Sequence, residues 1–314
     1  MLIDIAACSK RLAEHDNILL LCHRDPDGDT VGSAMAIFDT LTAMGKKVRM
    51  ECVSLLPANL QFMQREFPAF KEEYVVAIDV AAEKMLGDGD IRKRHVDLTI
   101  DHHPFNSLFA TETCLFPFPA AGELVYDVLK GLGVTISPFA ATCLLTAVSS
   151  DTGSFKYSGT TSKTMRCGAE LLDLGADKDL VRVNIFESNS PSRIAVEALA
   201  LSKIEFFENN KIAVISIDLG MMEECHADET ELEGIAAVPM TIKGVAIGMT
   251  LKERDDGYIR VSMRCNESCD ASEICRVFEG GGHVRASGCR IKSSMAEAKS
   301  RLLAEAIKQI KKAK

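Results

Sequence analysis

The sequence has no apolar run approaching the roughly 18 residues that cross a bilayer. Its N-terminus, MLIDIAACSKRLAEHDN, carries acidic residues early, where a secretory leader has a basic segment followed by an apolar one. Both absences point to a cytoplasmic protein. Positive charge is scarce: 36 Lys and Arg against 45 Asp and Glu give a net charge of −9. That excludes a protein held on duplex nucleic acid through a broad basic face. Short nucleotides stay within reach, because bound metal cations supply positive charge locally. There is no C-x-x-C pair among the eleven cysteines, and the number is odd. Both features speak against a disulfide framework and for a reducing compartment. Cys265, Cys269, Cys275, His283 and Cys289 fall close together, but their spacing matches no common zinc pattern. Buried thiols are the favoured reading of that group. No internal repeat and no low-complexity tract interrupts the chain.

What is present is an ordinary globular balance, 47% apolar and 26% charged, over 314 residues, enough for two domains with separate cores. The first half alternates strand-like runs (NILLLC, KKVRMEC, YVVAIDV, HVDLTID) with helix-like ones (TVGSAMAIFDTLTAMG, LPANLQFMQREF, AGELVYDVLKGLG, SPFAATCLLTAVSSD). That order predicts an α/β domain with a mainly parallel sheet and helices on both faces. Helical periodicity continues from about Thr161 to Leu201 and is broken at Pro191 in ESNSPSR. The last third reads as hairpins around Asn209-Asn210 and around RDDG, with helices over CDASEICRVFEG and the C-terminal lysine-rich stretch. The expected division is a catalytic domain over 1–187, a helical linker over 188–200 and a smaller α+β domain over 201–314.

Parallel sheets present ligands at the carboxyl ends of their strands. Three expected strands end in metal-competent side chains: at His23, at Asp79, and at Asp101 with His102 and His103. In HRDPDGD, His23, Asp27 and Asp29 have H-x₃-D-x-D spacing, and Pro26 with Gly28 turns the chain back on itself. Asp29 has two readings, a ligand or the N-cap of the helix that follows. Asp25 is left out; it reads either as a turn former or as a group behind the ligands. His102 and His103, adjacent on an extended segment, are expected to point in opposite directions, one toward a metal and the other toward substrate. Asp151 closes a helix in SSDTGSF, where a carboxylate is unfavourable without a compensating cation. The resulting set is His23, Asp27, Asp29, Asp79, His102 and Asp151. Four carboxylates and two imidazoles suit two divalent ions sharing a carboxylate. Mn²⁺ is favoured, with Mg²⁺, Co²⁺ or Fe²⁺ as alternatives. Two such ions activate a bridging water for in-line attack at phosphorus, so phosphoester hydrolysis is the natural chemistry. Farther on, EGGGHVRASG offers three successive glycines whose amides can approach an anion as a nest, with His283 as a donor and Arg285 nearby. Arg264 gains meaning only if it faces the same cleft.

Taken in order, HRDPDGDTVGSA, VVAIDV, DHHP and SSDTGSFKYSGTTSKT resemble the four motifs of the DHH phosphoesterase superfamily. GGGHVRASG resembles the signature of the DHH-associated C-terminal domain. The wording DTGSFKYSGTT is most similar to the bifunctional oligoribonuclease (nanoRNase) and 3′-phosphoadenosine 5′-phosphate (pAp) phosphatase branch. The resemblance implies two Mn²⁺ ions held by the six ligands above, with Asp79 and Asp151 shared. His103 would contact the scissile phosphate, and Arg264, Gly281, Gly282 and His283 would hold the substrate's other phosphate or nucleotide. The implied partners are short single-stranded RNA and small nucleotides, with no membrane and no duplex; a homodimer is left open. The chain departs from the family at Asp25, where asparagine is usual, at Cys265, where serine is common, and at Ser287, which replaces an alanine. Alternatives are a linear dinucleotide (pApA) phosphodiesterase in cyclic-di-AMP turnover, a manganese inorganic pyrophosphatase and a nucleotide-binding module without turnover.

Overall fold

The computed structural model describes residues 1–232 and 234–312, apart from the side chain at position 230. The chain forms two compact units, Met1–Ser188 and Asn189–Lys314.

The first unit is built on β1 (Leu2–Ile3), α1 (Ile5–Glu14), β2 (Ile18–Leu21), α2 (Gly28–Ala43), β3 (Val48–Glu51), β4 (Tyr74–Ile78), β5 (Leu98–Asp101), β6 (Glu112–Leu115), α3 (Ala121–Gly131) and α4 (Pro138–Thr152). Its six strands lie in the order β1-β6-β5-β4-β2-β3, and every pairing is parallel. The chain steps from β2 outward to β3 and then returns to the other side of β2 as β4. The strand order therefore reverses between β2 and β4, which is where an open parallel sheet leaves a crevice at its carboxyl edge. Strand β2 is buried along its whole length, which explains its unbroken apolar sequence.

Ile18 and Leu20 join the core formed with the α-helices, including Cys8 and Leu12 of α1 and Val31, Met35 and Ile37 of α2. Leu19 and Leu21 face the other way, against Leu86, Ile91 and Ala110. The expectation of helices on both faces is corrected here. The second face is covered by the segment 80–110, whose helical content is the 3₁₀ turn Glu83–Leu86. Gly87 and Gly89 adopt positive φ in that segment and break any longer helix. LPANLQFMQREF likewise shortens to a 3₁₀ turn, Ala58–Met63.

Helices α2 and α4 are pressed together. A Cβ at Gly32 would lie 2.3 Å from the carbonyl oxygen of Cys143, and one at Gly122 of α3 would lie 2.4 Å from the Ala147 Cβ. Only glycine permits these approaches, and they bring the ends of α2, α3 and α4 to one place.

The second unit carries a mixed sheet: β7 (Glu205–Phe207), β8 (Ile212–Ile217), β9 (Ile247–Glu253), β10 (Tyr258–Cys265), β11 (Gly281–Gly282) and β12 (Ala286–Lys292), in the order β11-β12-β10-β9-β8-β7. Both expected hairpins form, β7–β8 and β9–β10. β8 and β9 run parallel. The C-terminal helix Met295–Lys312 buries Leu302 and Ile310 against one face of the sheet. The stretch expected as a linker contains the helix Pro191–Ser202, which buries Val196 and Ala200 against Ile215, Ile217 and Met221 on the other face. No helix among the described residues is long and apolar enough to cross a membrane.

Candidate metal centre

The carboxyl ends of β2, β4 and β5 deliver His23, Asp79, and His102 with His103 to the same sheet edge. The helices complete the set. Asp27 is the N-cap of α2, and its carboxylate accepts from the Asp29 and Thr30 amides. Asp151 sits in the last turn of α4, before Gly153 in the left-handed conformation.

These side chains converge. His23 Nε2 lies 3.7 Å from Asp27 Oδ1 and 3.6 Å from Asp79 Oδ2. His102 Nε2 lies 3.3 Å from Asp79 Oδ1, 3.5 Å from Asp151 Oδ2 and 3.6 Å from Asp29 Oδ2. Three ligand-competent groups result: His23–Asp27–Asp79, Asp29–His102–Asp151, and Asp79–His102–His103, the atoms within each lying within 4.8 Å of one another. Asp79 and His102 link the groups. Asp79 is held at φ 59°, a left-handed conformation uncommon outside glycine, asparagine and aspartate, while its backbone N–H donates to Ile100 at 2.9 Å. Its Oδ1 is buried and accepts no hydrogen bond. The Nδ1–H of His102 donates to the Phe118 carbonyl at 2.9 Å, which turns Nε2 into the cluster as a ligand-competent atom.

The cluster is electrostatically loaded. Burial works against a charged His23, yet Asp27 and Asp79 raise its imidazole to about 10. Burial likewise opposes charge on His102, and Asp79 and Asp29 raise it to about 11. Burial and then the charge of Asp79 push Asp29 up to about 8. Burial, with the charges of Asp29, Asp27 and Asp79, raises Asp151 well above the usual carboxylate range. Burial would raise Asp79 too, but the His102 and His23 imidazoles hold it below that range. Crowded carboxylates that must share protons, a buried carboxylate oxygen without a donor, and a mixed N/O set without thiolate fit a divalent cation of the Mn²⁺ or Mg²⁺ kind.

Asp29 does not cap its own helix. Lying inside the first turn of α2, it is fully buried and accepts from Ala121 N–H at 2.6 Å and Gly122 N–H at 2.8 Å, capping α3 across the core. The cap reading of Asp29 is corrected to a different helix, and its carboxylate also lies within one of the ligand-competent groups. The histidine pair also departs from expectation. Both rings face Asp79, with His103 Nδ1 3.4 Å from its Oδ1, and the ring centroids are 4.8 Å apart. Strand β5 ends at Asp101, so the alternation of an extended strand no longer applies at residues 102 and 103.

Asp101 has a positioning role that sequence reasoning missed. Fully buried, it binds His103 Nδ1 at 2.7 Å through Oδ1 and accepts from the Asn106 amide at 2.6 Å through Oδ2. Its place as the first letter of DHH was the available signal. Asp101→Asn is expected to lower kcat about ten- to a hundred-fold with little change in KM, because it loosens His103 without removing a metal ligand. An equal loss in kcat and 1/KM would contradict that role.

In the second unit, Arg264 lies on β10, opposite Ala286 of β12, and lines a cavity of about 750 Å³ together with Gly280, Gly281, Ser287 and Cys289. Gly281 and Gly282 make strand β11 against Gly288 and Ser287. Gly280 serves close packing, since a Cβ there would lie 2.3 Å from the Gly288 carbonyl oxygen, whereas one at Gly281 would meet nothing within 4 Å. His283 is exposed and opens the tight turn to Ala286, whose carbonyl accepts its N–H at 2.7 Å. Arg285 is tied to backbone, donating to the Cys269 carbonyl at 2.9 Å. Cys265, Cys269, Cys275 and Cys289 are buried free thiols, and they join none of the ligand groups found among the described residues.

Residues 17–148 match the DHH family, N-terminal domain, and residues 209–312 match the DHHA1 domain. The chain is 28% identical over 289 residues to the bifunctional oligoribonuclease and PAP phosphatase NrnA of Thermus thermophilus, covering 88% of this chain and 84% of that protein. It is 24% identical over 332 residues to the cyclic-di-AMP phosphodiesterase GdpP of Geobacillus thermodenitrificans, covering 96% of this chain and 48% of that one. A solved exopolyphosphatase-related protein of Bacteroides fragilis superposes with a TM-score of 0.89 at 25% identity, covering 97% of this chain and 95% of that chain. With its two matched stretches falling one in each compact unit, the chain belongs to the DHH family, a DHH N-terminal domain followed by a DHHA1 domain.

Proposed function

We propose that the protein is a metal-dependent phosphoesterase of the cytoplasm that hydrolyses short oligoribonucleotides and converts pAp to AMP. The observation that carries this reading is the convergence of His23, Asp27, Asp29, Asp79, His102 and Asp151 into ligand groups that share Asp79 and His102. The similarity to NrnA over most of both chains supports the substrate class. Two divalent ions, Mn²⁺ by preference, would lower the pKa of water and offset charge at the reacting phosphorus. The chain's own residues do the rest. Asp79, which faces both imidazoles and belongs to two of the ligand groups, would be shared between the ions, and Asp151 would be the second shared carboxylate. His103, its Nδ1 committed to Asp101, contacts the scissile phosphate through its other nitrogen. Arg264, Gly281, Gly282 and His283 hold the substrate's other phosphate or nucleotide.

The similarity to GdpP favours a second reading, hydrolysis of the linear dinucleotide pApA. Turnover of RNA trimers to pentamers, pAp and pApA by protein freed of metal and then supplied with Mn²⁺ or Mg²⁺ separates the two. Activity is expected to vanish on chelation and return with Mn²⁺, with RNA oligomers and pAp both consumed. Turnover confined to pApA would favour the second reading, and full turnover in excess chelator would sink both.

A further inference from the structure

Beside the metal cluster the same sheet edge carries a second kind of chemistry. Beyond the end of β2 the chain runs through His23 to Arg24, whose backbone N–H donates to the Met85 carbonyl at 2.7 Å. That bond fastens the end of β2 to the 3₁₀ turn that follows β4. A cavity of about 360 Å³ opens at the junction, lined by His23, Arg24, Asp25, Lys84, Asp88 and Arg92. Its volume is within the range of small-ligand sites. His23 belongs to both the cavity and the ligand groups, so the cavity borders the place where phosphorus would react.

Three cations surround that space, in a chain with a net charge of −9, and nothing in the preceding chemistry uses them. They are weakly engaged. Lys84 forms no ion pair among the described residues. Arg24 meets Asp25 at 3.4 Å with both side chains more than half exposed. Arg92 meets Asp88 at 3.6 Å, and that carboxylate is 89% exposed. Solvated pairs of this kind give way readily to an anion that several donors hold at once.

We propose that this cavity is a phosphate subsite of the DHH domain. Arg24, Lys84 and Arg92 hold the backbone phosphate of an RNA strand one nucleotide to the 3′ side of the scissile bond. The inference deepens the oligoribonucleotide reading and rests on it. It also gives Asp25 a task. Asp25 stands beside Arg24 inside the cavity, offsets one of its cations and holds down the affinity for longer strands. The asparagine usual in the family at this position would remove that brake.

The test compares kcat/KM for pApApA, which has a phosphate for the subsite, with that for pApA, which does not, in Mn²⁺. Arg24→Gln, Lys84→Gln and Arg92→Gln are each expected to lower the pApApA-to-pApA ratio about three- to ten-fold. Asp25→Asn is expected to raise it about two- to three-fold, a gain that damage to the fold would not produce. Anisotropy of 3′-fluorescein-labelled pApApA on metal-free protein reads binding apart from turnover. There each Arg or Lys variant is expected to reduce the slope of log affinity against log salt by about 0.7. A ratio unchanged in all four variants, with both substrates hydrolysed by the parent, overturns the subsite alone. A parent that hydrolyses neither substrate overturns the oligoribonucleotide reading and the subsite with it.

Discussion

Asp79→Asn is expected to lower turnover of short oligoribonucleotides by about a thousand-fold or more and to strip the protein of bound Mn²⁺. A thousand-fold corresponds to about 4 kcal/mol of transition-state stabilisation, the scale expected when metal-borne charge stabilisation is lost. The choice of asparagine matters. Residue 79 is held at φ 59°, a region that asparagine tolerates nearly as well as aspartate and alanine does not. Asparagine also matches aspartate in size, so the strand end and the core behind it stay as they are. What disappears is a charge placed 3.3 Å from His102 and 3.6 Å from His23, the carboxylate common to two of the ligand groups. Steady-state kinetics, metal analysis and a thermal melt on the same sample check this. Lost activity and metal with a melting temperature close to that of the metal-free parent is the expected combination. Retention of both activity and metal would show that Asp79 is not a ligand.

The second large effect falls on stability, with consequences for the site. Gly32→Leu is expected to destabilise the first unit by about 3 kcal/mol, the upper part of the usual range for overpacking. The substitution improves helix propensity by about 0.8 kcal/mol or somewhat less, which would favour the variant if Gly32 faced open space. It faces the α4 backbone, with the Cys143 carbonyl oxygen 2.3 Å from the nearest added atom. Backbone cannot swing aside as a long side chain does, so α2 and α4 must part. For a unit of this size the melting temperature should fall by about 6–12 °C. Because α4 carries Asp151 and α2 carries Asp27 and Asp29, weaker Mn²⁺ binding should accompany the loss. Melting at the parent's temperature would mean that the two helices separate at little cost.

Much of the candidate site was readable before any coordinates, for a specific reason. In a parallel sheet all strands point the same way, so residues at the ends of NILLLC, YVVAIDV and HVDLTID must share an edge once those segments are strands. Asp151 was readable because an acidic side chain at a helix C-terminus asks for a cation. The misreadings have equally local causes. Capping of α3 by Asp29 joins residues 92 and 93 positions apart, and no spacing rule spans that distance. The two histidines were given strand alternation one residue past the end of the strand. The glycine run was read for its freedom, whereas Gly280 is used for its missing side chain beneath the Gly288 carbonyl. The short strands β1 and β6, with two and four residues, carry too little periodicity to be legible in the sequence. The cover on the second sheet face is irregular chain, for which periodicity has no signal.

The double duty of Asp29 has a consequence for how such chains change over evolutionary time. If Asp151 holds metal as proposed, a lineage that abandoned catalysis would be released from keeping it, since its carboxylate approaches His102 but caps nothing. It would not be released from Asp29, because two α3 amides in the core depend on that carboxylate. An aspartate at position 29 in a distant relative therefore testifies to the fold before it testifies to activity. The residue to inspect when asking whether such a relative still works is the one at position 151.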